Sequence, residues 1–260
     1  MIRVRRIALP TEHGGWGFLL EPLAAGLIVA FSLGGFFIAL MFIGAFLVRQ
    51  PFKVLIINWM GMRDPRQANV AIKYVLLYSS IAIAGTVGAL FTANISSLIP
   101  LLCVLPLLAV QNFYDIFRRS RNLIPELAGV VAVSSSVAAI TLAGGFSWGT
   151  AIALWAVFVS GLIPSILYVR QRLLLEKGKH YSQNIPVIAH IAAVNISILL
   201  LYFGEVSILT LSVMLLLAYR AIIGLSPERK KMKAMQIGIW EVVYGTLLTA
   251  SVAAGHFLGV

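Results

Sequence analysis

The chain has 260 residues, of which 60% are hydrophobic and only 11% are charged, and its mean hydropathy is +0.96. The core of a soluble domain of this size cannot hide so much apolar surface, so the composition excludes an ordinary soluble protein and favours a polytopic membrane protein. A formal net charge of +11 would suggest nucleic acid as the partner of a soluble protein. In a membrane protein, basic loops beside anionic lipid explain that charge, so no nucleic-acid partner is expected.

The apolar runs are continuous rather than alternating, which predicts helices instead of a barrel, in one integral membrane domain over residues 1–260. Nine spans are predicted near residues 16–34, 36–57, 73–92, 97–114, 124–144, 148–169, 185–203, 206–224 and 235–256. The predicted fold class is therefore all-α, a polytopic bundle of about nine transmembrane helices.

Basic residues are distributed asymmetrically between these spans. All twenty Lys and Arg residues fall on one side of the predicted topology, and the opposite links, 34–35, 93–97, 145–148 and 204–206, contain none. By the positive-inside rule, the N-terminus is cytoplasmic and the C-terminus lies outside.

The densest polar segment is 111–121, at the end of the fourth span. On a helix, Asn112, Asp115 and Arg119 would share one face. Asp115 could pair with Arg118 or Arg119. The segment's three arginines, Arg118, Arg119 and Arg121, and the Asn112 amide could form a cradle for an anion, because guanidinium groups match phosphate geometry. The alternative is a topology anchor with one local salt bridge.

Arg170 and Arg172 end the sixth span, where they could form a second half of the same anion site or simply a positive-inside cluster. Glu126 follows Pro125 at the start of the fifth span. We interpret it as an acid that complements a helix N-terminus.

Three ionisable residues, Glu21, His190 and Glu241, lie inside predicted spans, where polar groups are costly and suggest function. They could line a proton path, although a lone intramembrane histidine is more often a hydrogen-bonding group between helices. The histidine spacing predicts no metal site.

Five short patterns together resemble the YwiC-like family of bacterial membrane proteins. They are His13-Gly14-x-Trp16, Glu21-Pro22, Arg49-x-Pro51, Asn112 with Arg118 six residues later, and Gly238-x-x-Glu241. The resemblance extends along nearly the whole chain and implies a multi-pass protein of the bacterial plasma (inner) membrane. It implies no defined activity.

The stretch 114–129 is more distantly similar to the Y-P-x-x-K-R-x-T-x-x-P-Q-x-x-L-G segment of UbiA-type prenyltransferases, which are also nine-helix, cytoplasmic-facing proteins. Those enzymes hold magnesium and a prenyl diphosphate with two Asp-rich motifs. Of the first motif only Asn58 and Asp64 match, and Arg170 and Arg172 stand where the second has carboxylates. Magnesium needs several oxygen ligands, usually including carboxylates, so the usual metal-dependent mechanism is not expected and the cofactor stays undefined.

The resulting hypothesis is a UbiA-like bundle that binds or processes an isoprenoid or other anionic-headgroup lipid in a basic, cytoplasmic-facing cavity. Residues expected to hold the headgroup are Arg49, Asn58, Asn112, Arg118, Arg119, Arg170 and Arg172. Asp115 and Asp64 would be the acids of any prenyltransferase-like reaction, although the sequence leaves open whether a reaction occurs. The alternatives are a small-solute or proton-coupled transporter using Glu21, His190 and Glu241, or a noncatalytic membrane subunit.

Overall fold

A computed structural model of the chain describes residues 4–10, 13–59, 61, 65–117 and 122–259, and the regular structure in these ranges is helical. The helices are α1 (Val4–Ala8), α2 (His13–Val29), α3 (Leu33–Trp59), α4 (Pro65–Thr92), α5 (Ile99–Ile116), α6 (Leu123–Ala143), α7 (Trp148–Glu176), α8 (Asn184–Tyr202), α9 (Ile208–Gly224) and α10 (Ala234–Leu258). A 3-10 turn, Ile95–Leu98, leads into α5. The prediction of an all-α fold is confirmed.

Each predicted span overlaps one of these long helices. Within the described ranges, seven helices are long and apolar enough to cross a membrane, whereas α2 and α9 are shorter apolar helices. The chain is thus a membrane-type helical protein, and the count of nine spans and their orientation stay predictions.

The link between α2 and α3 lies at residues 30–32, not at 34–35 as the sequence predicts. Ser32 caps α3, since its Oγ accepts a hydrogen bond of 2.9 Å from the backbone N–H of Gly35. Gly34 and Gly35 are buried within α3, and a Cβ at Gly34 would overlap Ala93. These glycines therefore permit close packing rather than forming a turn.

Helices α3 and α4 form a tightly packed hairpin through glycines on both sides. A Cβ at Gly44 would lie 2.5 Å from the backbone nitrogen of Ala82, and one at Gly85 would overlap the backbone of Met41. Small residues let membrane helices approach closely and gain van der Waals contact where no hydrophobic effect drives association.

We expect Gly44→Ala to destabilise the bundle by about 1–3 kcal/mol, because the added methyl group forces the backbones of α3 and α4 apart. The free energy of unfolding, measured by denaturant titration in mixed micelles, checks this. Gly238→Ala is the matched control, because a Cβ at Gly238 meets nothing within 4 Å and alanine favours a helix. Equal losses in the two variants would contradict the packing role.

Helices α6 and α7 form the centre of the bundle. Of their most apolar windows, 67% and 61% of the residues are buried, against 17% in α4. The hydroxyls of Ser135 and Thr141 on α6 donate to carbonyls of their own helix, those of Ala132 and Val137. Side chains of α2, α9 and α10 pack against α7, and the wide space beside this core holds the candidate site.

Candidate functional site: a cavity between the helices

A cavity of about 1160 Å³ lies between α2, α3, α4, α5, α6, α7, α9 and α10. Its walls consist mainly of Leu, Val, Phe, Ile and Gly side chains. The volume exceeds that of typical pockets for drug-sized ligands, and the apolar walls suit a long hydrocarbon chain. Polar and ionisable side chains interrupt these walls at Glu21, Arg49, Ser79, Thr86, Gln111, Asn112, Glu126, Ser165, Arg170, Glu241 and Tyr244.

One group of these side chains, which we call the arginine end, comprises Gln111, Asn112, Glu126 and Arg170. Arg170 Nε lies 3.1 Å from Glu126 Oε2, and this ion pair joins α7 to the first turn of α6. Gln111 packs directly against Gly129, one turn after Glu126, where a Cβ would overlap its amide. The absence of a side chain at Gly129 thus brings α5 and α6 together at this end. Arg49 lines the same cavity from α3.

A second group, the glutamate cluster, comprises the lining side chains Glu21, Ser165, Glu241 and Tyr244, together with Arg220 of α9, which is off the lining and contacts the last three. Arg220 Nη1 lies 2.8 Å from Glu241 Oε1, and its Nη2 donates to Ser165 Oγ at 3.2 Å. The guanidinium carbon lies 4.8 Å from the centre of the Tyr244 ring. These contacts tie α9, α10 and α7 together.

The ring of Tyr168 packs on the Arg220 guanidinium, with its centre 4.4 Å from the guanidinium carbon. Arg220 therefore stacks against two aromatic faces, which stabilise a cation away from water. The side chains of Arg220 and Glu241 are only 6% and 20% exposed, so their charges are matched inside the protein.

Glu21 completes the glutamate cluster from α2. Its carboxylate lies against Gly245 of α10, where a Cβ would overlap it, and one turn from Gly17 of its own helix. The backbone carbonyl of Glu21 accepts a bond of 3.4 Å from the Thr249 hydroxyl. Among the described residues, Glu21 Oε2 is buried without a hydrogen-bond partner.

The two arginines predicted at the end of α7 have different surroundings. Arg170 lines the cavity, as do the predicted headgroup residues Arg49 and Asn112. Arg172 is 2% exposed and donates to the backbone carbonyls of Gly224 and Lys230. It also lies 2.9 Å from Glu176, to which Arg229 is bound as well. Arg172 thus connects the C-terminal end of α9 to α7 by hydrogen bonds.

Two other predicted residues lie away from the cavity lining. Asn58 donates to the carbonyl of Val54 on its own helix at 3.0 Å. His190 is buried on α8, with Nδ1 2.8 Å from the carbonyl oxygen of Pro186. The structure therefore brings Glu21 and Glu241 to one cavity and leaves His190 outside its lining.

The remaining predicted residues cannot be placed in this geometry. Asp64, Arg118 and Arg119 lie outside the described residues. Asp115 belongs to α5, where the structure describes its backbone and not its side chain. Their roles stay predictions.

The pairing of Arg220 was not predicted from the sequence, where it is one of the twenty basic residues assigned to the cytoplasmic side. The structure places Arg220 inside α9, where it is 8% exposed. The sequence does contain a signal for this pair, because Arg220 and Glu241 are opposite charges inside two consecutive apolar helices. Glu126 likewise binds Arg170 instead of serving only the N-terminus of α6.

A family model described as YwiC-like protein matches residues 9–141, about half of the chain. The chain belongs to the YwiC-like family. None of the curated proteins and none of the solved structures matches it. The YwiC-like match includes Glu21, Arg49 and Glu126, whereas Arg170 and the 238–241 pattern lie beyond it. The family's matched segment thus supplies the cavity residues of α2 to α6, and α7, α9 and α10 supply the others.

Proposed function

We propose that this YwiC-like protein binds an isoprenoid or similar lipid with an anionic head in the cavity between its helices. The carrying observation is one large, mostly apolar space with arginine and amide groups at one end. Apolar walls would hold the hydrocarbon chain, and Arg170, Arg49 and Asn112 would hold the head. We place the protein in the bacterial plasma membrane, with the arginine end facing the cytoplasm.

The lipid could also be processed, in the manner of a divergent UbiA-type prenyltransferase. What supports this is the similarity of the 114–129 stretch, whose Glu126 belongs to the arginine end. In such a reaction the arginines would neutralise the diphosphate, as magnesium does in those enzymes, and Asp115 and Asp64 would serve for metal or proton work. Arg118 and Arg119 would extend the cradle.

Thermal unfolding of the purified protein in detergent tests the binding. Farnesyl diphosphate should raise the melting temperature, because a ligand of the folded state stabilises it. Inorganic pyrophosphate, which has only the anionic head, and farnesol, which has only the hydrocarbon chain and a hydroxyl, should each raise the melting temperature less. A shift that survives EDTA supports the arginine cradle, whereas a shift only with magnesium supports metal-dependent chemistry.

Substitutions at the arginine end give the sharper comparison. Arg170→Gln and Arg49→Gln should each reduce the shift caused by farnesyl diphosphate, while Lys177→Gln, an exposed cation off the cavity lining, should leave it unchanged. The side chains of Arg170 and Glu126 are 31% and 35% exposed, so losing that pair should cost less than about 1 kcal/mol in stability. An undiminished shift in both cavity variants would contradict the headgroup assignment.

A proton-coupled transporter is the second candidate, favoured by two carboxylates, Glu21 and Glu241, on one cavity wall. Absence of any shift with farnesyl diphosphate, with magnesium or with EDTA, would favour this candidate over lipid binding.

A further inference from the structure

The cavity carries polar groups at two separate levels. Ser165 precedes Arg170 by five residues on α7, so Ser165 lies about 7.5 Å along that helix from Arg170. Arg220 joins Ser165 to Glu241, and a Cβ at Gly161 would lie 2.7 Å from Leu248. Helices α7 and α10 are therefore antiparallel here. Residues later in α10 lie farther from Arg170.

Glu21 occupies the far side of this cluster. Its carboxylate lies against Gly245, which follows Glu241 by one turn, about 6 Å farther along α10. A hydrocarbon chain that starts at Arg170 would thus pass Ser165 before it reaches Glu21. Apolar lining residues such as Phe18 and Leu248 surround this position.

The other members of the cluster leave Glu21 Oε2 without a partner, because the cation of the cluster is already paired with Glu241. Arg220 is matched by Glu241 and covered by the rings of Tyr168 and Tyr244. His190, on α8, is engaged with the Pro186 carbonyl. Among the described residues nothing donates to Glu21 Oε2, although an unsatisfied buried acceptor is costly.

We propose that Glu21 forms a second ligand subsite, which accepts a hydrogen bond from a donor group, an ammonium or a hydroxyl, on the buried part of the ligand. The subsite rests on the proposed lipid binding, and it narrows the ligand to an amphiphile with polar groups at two positions. Tyr244, next to Gly245 on α10, also lines the cavity and offers a hydroxyl to the same group. A ligand with a plain hydrocarbon tail leaves Glu21 unsatisfied.

Two matched compounds test this subsite: dodecyl phosphate and ω-aminododecyl phosphate. Binding to the full-length protein in phosphatidylcholine nanodiscs is measured by intrinsic tryptophan fluorescence, with empty nanodiscs subtracted for partitioning. We expect the amino compound to bind about tenfold more tightly, the size of one hydrogen bond to a charged group. Glu21→Gln should abolish that preference, and Glu228→Gln, an exposed acid off the cavity lining, should retain it.

The outcomes separate the two proposals. Equal binding of both compounds to the wild-type protein would overturn the subsite and leave lipid binding standing, and this comparison needs no variant. A preference that persists in Glu21→Gln would also overturn the subsite. Failure of both compounds to bind would overturn the proposed function itself.

Discussion

Replacement of Arg220 by methionine is expected to lower the free energy of unfolding by about 3–5 kcal/mol. The substitution leaves Glu241 buried with its partner removed, and Ser165 Oγ loses a donor. It also removes the cation that stacks on Tyr168 and Tyr244. Denaturant titration of the protein in mixed micelles measures the loss.

Two further variants identify the cause. Arg220→Met combined with Glu241→Leu should recover most of the stability, since a buried ion pair replaced by apolar side chains is often neutral. The stability of Arg220→Lys should fall between those of the wild-type protein and Arg220→Met. Lysine keeps the charge but lacks the planar guanidinium that reaches two partners. Losses that simply add in the double variant would show that the pair is not the source.

Replacement of Arg172 by methionine should cost a similar amount, about 3–5 kcal/mol, although Arg172 is only two residues from Arg170. Its side chain is 2% exposed, and its guanidinium donates to the carbonyls of Gly224 and Lys230 and lies beside Glu176. Without it, Glu176 keeps Arg229 as its one cationic partner among the described residues, and the carbonyl end of α9 loses the Arg172 cation.

The same variant tests whether Arg172 also contacts a lipid headgroup. Arg172→Met should lower the melting temperature yet keep the shift caused by farnesyl diphosphate. Arg170→Gln should change the melting temperature little and reduce that shift. Loss of that shift in a still-folded Arg172→Met protein would instead support the headgroup role that the sequence predicts for Arg172.

The helices could be predicted from the sequence because lipid permits few alternatives to a helix for a long apolar run. The residues at which the helices begin and end are harder to predict from the sequence. Adjacent glycines at 34–35 suggest a turn, but whether Gly34 turns or packs depends on Ala93, which is distant along the chain. The sequence therefore indicates which segments are helical better than it indicates where α3 begins.

The candidate site was predictable only in part, for a related reason. Glu21 and Glu241 stand out because a carboxylate inside an apolar helix is unusual whatever surrounds it. Arg170 and Arg172 look alike along the chain, and only the approach of α9 and of Glu126 distinguishes them. Pairings such as Arg220 with Glu241 depend on helix packing, which charge counting between spans does not record.

The hydroxyl bonds within α6 bear on how this protein is made. Since Ser135 and Thr141 donate to their own helix, these groups need no neighbour while the new segment enters the lipid bilayer. The most apolar part of α6 is as hydrophobic as that of α4, which stays far more exposed in the finished bundle. These two hydroxyls therefore do not hinder insertion of the central helix during synthesis, and its enclosure can wait until α7 to α10 have emerged from the ribosome.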